Sequence, residues 1–198
     1  MQQIIHDLTY MPKGHTGHLC PTKDVVDAWQ EFYKISPFTN VLEFGFNTGW
    51  SSALILTLFP DVKVTSIEIL EIDASRKGAS ILADKFPSRH HIIWGDSAKI
   101  ANDVIQGTKN LPDSNYNLAF IDGGHWPKIV QKDIELSIHL GIKNFVFDDG
   151  NNINIKAGIE KFKQLKLINT KSYINTVYKY KGYKTRNSKI DLCHYQLI

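Results

Sequence analysis

Along the chain, polar and apolar positions alternate between two periods. Short uninterrupted apolar runs give way to longer segments whose apolar residues return every three or four positions. Val25, Val26, Trp29, Phe32 and Tyr33 share one face of a helix that begins after Pro21. The run Asn40–Phe44 predicts a first strand, followed by a glycine-bearing turn and a helix carrying Ala53, Leu56 and Phe59. Residues 62–67 predict a second strand and 73–86 its helix; 91–94 predict a third, with a helix over 97–105. A fourth, 117–121, precedes a helix bearing Ile129, Val130, Ile134 and Ile138, and a fifth, 143–147, precedes a helix over 155–165. Apolar strands alternating with amphipathic helices make a parallel sheet covered on both faces. After about residue 171 the period shortens: 172–181 and 190–198 are β-rich around a turn-like 185–188, which predicts an antiparallel hairpin at one edge. No repeat, low-complexity tract or linker divides the chain, so a single domain over 1–198 is expected.

Composition adds boundaries. With 198 residues, 42% hydrophobic and 22% charged, the chain can bury a substantial core. Nothing approaches the ~18 consecutive apolar residues that span a bilayer. The N-terminal stretch lacks the basic-then-apolar order of a secretory signal. Cys20 and Cys193 stand far apart with no CxxC pair, which suits a reducing compartment. A cytoplasmic protein with no membrane partner is the expectation. The net charge is only +3, yet between Lys156 and Lys189 ten Lys or Arg face one acid, Glu160. Such a block could attract an anionic partner. The run 178–184 interleaves Tyr178, Tyr180 and Tyr183 with lysines, as nucleic-acid surfaces sometimes do. Strand alternation explains it more plainly, with outward lysines discouraging edge-to-edge pairing. No recognised nucleic-acid module accompanies the run.

Ligands of such sheets bind outside the carboxyl ends of the strands, where strand order reverses. The first exit reads Glu43-Phe44-Gly45-Phe46-Asn47-Thr48-Gly49-Trp50-Ser51. Its spacing is GxxxG, not the GxGxxG of pyrophosphate sites. An acid just before the turn, Glu43, suits a cationic ligand, although a βα turn needing glycine accounts for the pair equally well. The second strand ends in Glu68, placed to accept both hydroxyls of a ribose. The third exit carries Asp96 and Ser97; Asp96 could accept from an adenine amino group or cap the next helix. The fourth, Ile121-Asp122-Gly123-Gly124-His125, brings an acid and a histidine to the pocket rim in a form packing does not require. The fifth ends in the adjacent carboxylates Asp148 and Asp149, unfavourable unless solvated or joined by a cation.

Together these residues resemble the class I S-adenosylmethionine methyltransferases, and within them the small-molecule O-methyltransferases with an IDG[G/D]H-like fourth strand. The resemblance runs from about Asn40 to the final hairpin and rests on VLEFGFNTGWSS and, more specifically, on FIDGGHWPKIVQKDIELS. It implies a Rossmann-like, doubly wound α/β fold: a mostly parallel seven-stranded sheet over 37–198, with an N-terminal helical lid segment over 1–36. It implies that Glu43, Gly45, Asn47, Gly49 and Ser51 contact the methionine part of the cofactor, Glu68 the ribose, Asp96 and Ser97 the adenine, and Asp122 the reacting end. In a subgroup similar to macrocin O-methyltransferase, one Asp after strand four and two after strand five bind magnesium. Asp122, Asp148 and Asp149 occupy those places, and carboxylates suit that hard cation. The sequence departs from the subgroup at Gly124-His125, where metal-dependent members carry a further acid and bulky residues.

The expected reaction is O-methylation of a small hydroxylated molecule, with Asp122 and His125 as catalytic residues and His125 as proton acceptor. For His125 the plainer alternative is a helix-start residue bonded to backbone, and for Asp148-Asp149 a solvated turn. His15 and His18 could belong to a lid over the acceptor or be ordinary loop residues. Methylation of RNA or another polyanion is the second enzymatic reading, although the [N/D]PP[Y/F] tetrapeptide is absent. A non-catalytic nucleoside-binding protein is the third, and a homodimer is compatible with each.

Overall fold

A computed structural model describes residues 11, 22–178 and 188–198. His15, His18, Cys20 and most of the 178–184 run lie outside the described residues, as does most of the expected lid. Helix α1 (Lys23–Ile35) starts where the Thr22 side chain accepts from Val25 N. It buries Val25, Val26, Ala28, Trp29 and Phe32 in the core. Then follow β1 (Asn40–Phe44), α2 (Trp50–Leu58), β2 (Lys63–Glu68), α3 (Asp73–Lys85), β3 (His90–Trp94), α4 (Ser97–Ile105), β4 (Leu118–Ile121), α5 (Pro127–His139), β5 (Asn144–Phe147) and α6 (Ile153–Glu160). A 3₁₀ turn (Lys163–Leu165) leads into β6 (Leu167–Tyr178) and β7 (Ser188–Leu197).

The seven strands stand in the order β3-β2-β1-β4-β5-β7-β6, parallel except where β7 meets β5 and β6. The order reverses between β1 and β4, which is where an open α/β sheet leaves its ligand crevice. Neighbouring residues point to opposite faces, and both faces are apolar. Val41, Val64, Leu118, Phe120 and Val146 face α1 and α2. Leu42, Phe44, Ala119, Ile121, Phe145 and Phe147 face α4, α5 and α6. Trp29 anchors the first layer edge-on to Phe120, with ring centroids 5.1 Å apart. Among the described residues, no helix is long and apolar enough to cross a membrane.

Two departures from the sequence reading have local causes. The last helix, expected over 155–165, runs only from Ile153 to Glu160 and tightens into the 3₁₀ turn. Lys166 then adopts a left-handed φ of +58°, which turns the chain into β6 at residue 167 rather than 172. Apolar spacing continues through both segments, so periodicity cannot register the break.

Burial of His194 has a measurable consequence. The ring lies fully inside, stacked on Phe32 at 5.5 Å, with Nδ1 on the Thr170 hydroxyl. Burial lowers its pKa from 6.5 to about 4. Above pH 6.5 this costs nothing. As pH falls further, the unfolded chain takes up a proton that the folded chain refuses, so stability declines until about pH 4. At pH 5 the loss from this one residue is about 2 kcal/mol. His194→Phe, which keeps a ring against Phe32, is expected to flatten the fall in melting temperature between pH 7 and pH 5. An unchanged slope contradicts this account.

Candidate active site

β1 turns into α2 within a few residues, and the turn lies directly on the β4 exit. Gly45 takes φ +92°, and a Cβ there would sit 2.3 Å from the carbonyl oxygen of Asp122. Only glycine allows that approach. Asn47 is also left-handed, and Gly49 begins α2. Beneath the turn Glu43 is fully buried, its carboxylate accepting from the hydroxyls of Ser51, Ser52 and Ser66. Burial raises its pKa, the three hydroxyls oppose that, and the Glu68 charge adds to it. The chain of contacts continues from Ser66 to His90 Nε2 at 3.1 Å, and the His90 ring stacks on Phe46. Burial, then the neighbouring His91, pushes His90 down to about 3, so this imidazole is neutral.

Glu68 is placed at the β2 exit as expected, but its partners are protein. Phe46 N and Asn47 N donate to Oε2 at 2.9 and 2.6 Å, and Leu70 N donates to Oε1 at 2.7 Å. The carboxylate thereby ties the glycine turn to the neighbouring strand, with 5% of the residue exposed. Oε1 keeps lone-pair capacity for a further donor. Asp96 caps α4, accepting from Ala98 N at 2.8 Å and Lys99 N at 3.4 Å, with Ser97 as the first helical residue. Behind that helix start lies Asp133 of α5, a residue the sequence reading passed over. It is completely buried, and neither oxygen has a hydrogen-bond partner among the described residues. Burial raises its pKa to about 7; the nearby Ser97 side chain eases the charge and Asp96 adds to it. An acid inside the apolar stripe Val130, Ile134 and Ser137 was the available signal.

The β4 and β5 exits come level because Asp122 N donates to Phe44 O at 2.9 Å and Asp148 N to Ile121 O at 3.0 Å. Asp122, Asp148, Asp149 and His125 are therefore brought together, all partly buried. Asp122 is held well above the ordinary carboxyl range, first by burial, then by the Asp148 charge and hydrogen bond. Asp148 is raised to about 7 by burial and the Asp149 charge, while its bond to Asp122 works the other way. Burial and the neighbouring charges thus raise both carboxyls. His125 Nδ1 lies 3.7 Å from Asp149 Oδ2. Trp126, which caps α5, is 73% exposed at the rim. Among the described residues, no three His, Cys, Asp or Glu side chains form a ready cation site. Glu43, Glu68, Asp122, Asp148 and Asp149 form no ion pair with a lysine or arginine among the described residues. A donor set of this kind fits a positively charged ligand and disfavours a phosphorylated one.

A family model described as "Methyltransferase domain" matches residues 42–143. No curated protein shows significant sequence similarity to the chain. Among solved structures, the chain is similar to an O-methyltransferase from Bacillus cereus in complex with SAH, at 17% identity and TM-score 0.59, covering 98% of this chain and 89% of that one. It is similar to the tomaymycin-synthesis O-methyltransferase of Streptomyces achromogenes in complex with SAM, at 15% identity and TM-score 0.60, covering 91% and 81%. A proposed RNA methyltransferase from Pyrococcus horikoshii shares the fold at 13% identity and TM-score 0.67, covering 100% and 98%.

Asp133 supplies a test of how the helix start is held. Its folded pKa of about 7 exceeds the ordinary 3.8, so stability is greatest below pH 3.8 on this account and falls as pH rises toward 7. Asp133→Asn is expected to raise the melting temperature at pH 8 by several degrees and to change it little at pH 3.5. A variant destabilised equally at both values shows that the charge is compensated.

Proposed function

The chain belongs to the methyltransferase domain family, and from that premise we propose that it methylates an oxygen of a small hydroxylated acceptor. It is a transferase that uses S-adenosylmethionine, which supplies, when bound, a methyl group on a positively charged sulfur. The observation that carries the proposal is the pairing of crowded carboxylates with a histidine at the β4 and β5 exits, beside the glycine turn.

In this reading Gly45, Asn47, Gly49 and Ser51 shape the cradle for the methionine portion. Glu43 acts from below, fixing Ser51 through its buried carboxylate. Glu68 accepts from the ribose hydroxyls while holding the turn, and Asp96 and Ser97 border the adenine. Asp122 borders the reacting end, and the surrounding negative charge favours a cationic donor. His125 takes the proton of the acceptor hydroxyl, and Asp149 stabilises the imidazolium that results. Fixing acceptor and donor in line supplies the larger share of such a reaction's acceleration.

Magnesium belongs to the same proposal. Asp122, Asp148 and Asp149 would hold it, and their hard oxygens suit it. Bound there, it would act as a Lewis acid toward an acceptor hydroxyl. The sequence pattern of one acid after β4 and two after β5 supports placement near the macrocin O-methyltransferase-like members.

Calorimetric titration with S-adenosylmethionine, followed by labelled methyl transfer into a cell extract, tests the reading. His125→Ala is expected to lower turnover by about 10²–10⁴-fold while cofactor affinity stays within about twofold. EDTA is expected to suppress turnover, and Asp148→Asn to remove its dependence on added Mg²⁺. Full activity in EDTA disproves the metal part alone; absence of cofactor binding disproves the whole.

A further inference from the structure

We infer that Asp191, on the antiparallel strand β7, is a positioning residue that sets the backbone of the β5 exit and thereby aims Asp149 at His125. The inference rests on the proposed reaction site at the β4 and β5 exits and adds to it an element beyond the family-matched region 42–143.

The register explains why this residue reaches the site. β5 and β7 pair from Asn144↔Gln196 to Phe147↔Cys193. Continued two residues, the antiparallel register sets Asp191 level with Asp149. A parallel neighbour would have ended together with β5 and left the exit unsupported. Here β7 runs past it. Asp191 is 6% exposed, and a buried carboxylate must be satisfied by donors. Two of its donors belong to the exit, Asn151 N to Oδ2 at 2.7 Å and Asn151 Nδ2 to Oδ1 at 3.0 Å, and the Cys193 thiol adds a weaker contact to Oδ1 at 3.4 Å. Gly150 N donates to the Asp191 carbonyl at 3.1 Å. A Cβ on Gly150 would stand 2.6 Å from Cys193 Cβ and Sγ, so the exit lies pressed against β7.

What the clamp holds is a left-handed residue. Asp149 adopts φ +51°, a conformation uncommon outside glycine and best tolerated by Asn and Asp. Asp148 N is fixed to β4 on one side and Gly150 N to β7 on the other. Between these two anchors Asp149 has little choice of direction, and its carboxylate faces His125 at 3.7 Å. Flanked by Ile190, Leu192 and Cys193 in the strand, this acid directs both oxygens to the Asn151 loop.

Asp191→Ala, Asp191→Asn and Asn151→Ala distinguish positioning from general stability. In Asp191→Ala, hydrogen exchange at residues 150–152 is expected to accelerate about tenfold or more, with β1 and β4 amides unchanged. Turnover in the labelled-transfer assay is expected to fall about 10²-fold while the dissociation constant for S-adenosylmethionine moves less than about twofold. Asp191→Asn, whose amide oxygen still accepts from Asn151 N, restores most of the protection and part of the turnover. Asn151→Ala, which keeps Asp191, loses turnover without loss of fold. Unchanged exchange at 150–152, or faster exchange with full turnover, overturns the inference, as does parallel loss of cofactor affinity and turnover. A wild-type protein that transfers no methyl group overturns the proposed reaction instead, and the exchange comparison still decides the clamp.

Discussion

Crowding negative charge at one end of a sheet must be balanced, and each carboxylate here is balanced by different means. Glu43 is closed in by three serine hydroxyls, and Glu68 takes three backbone N–H groups. Asp122 and Asp148 have raised pKa values, and Asp149 faces an imidazole. None of these solutions uses a lysine or arginine among the described residues. The crevice therefore keeps an unneutralised field at the point where β1 and β4 diverge.

Balance by hydrogen bonds also gives the turn its shape. The same carboxylates that set the potential hold the backbone: Glu68 ties the β1 turn to β2, and Asp191 ties the β5 exit to β7. Electrostatics and geometry are consequently coupled. Removing an acid from this region changes where atoms lie as well as the charge they feel, which makes neutral isosteres more informative than alanine.

Burial of titratable groups is the accompanying cost. His90 and His194 are kept neutral by desolvation, and Asp133 is left without a full partner inside α5. The two histidines weaken the fold toward acid pH and Asp133 weakens it toward neutral pH. His90 lies one hydroxyl away from Glu43, so part of this cost falls directly beneath the glycine turn.

Much of the architecture was legible in the chain. Uninterrupted apolar runs and a period of three to four locate the strands and helices, because burial on both sheet faces forces runs such as 118–121. GFNTG after β1, Glu68 at the end of β2 and the IDGGH run mark the exits, since glycines and acids interrupt the apolar pattern there. What the sequence determined by itself was thus the order of elements and which acids stand at strand ends. Only the tertiary structure decided what those acids do. It turned Glu43 inward to three serines, made Asp96 a helix cap, and joined Asp122 to Asp148. Asp133 and Asp191 stand out in the chain as acids among apolar neighbours but could not be interpreted there, because a lone acid within an apolar stripe or strand has meaning only through partners far along the chain. Asp191 meets Asn151 forty residues away through an antiparallel register, and registers between distant strands are set by packing in three dimensions.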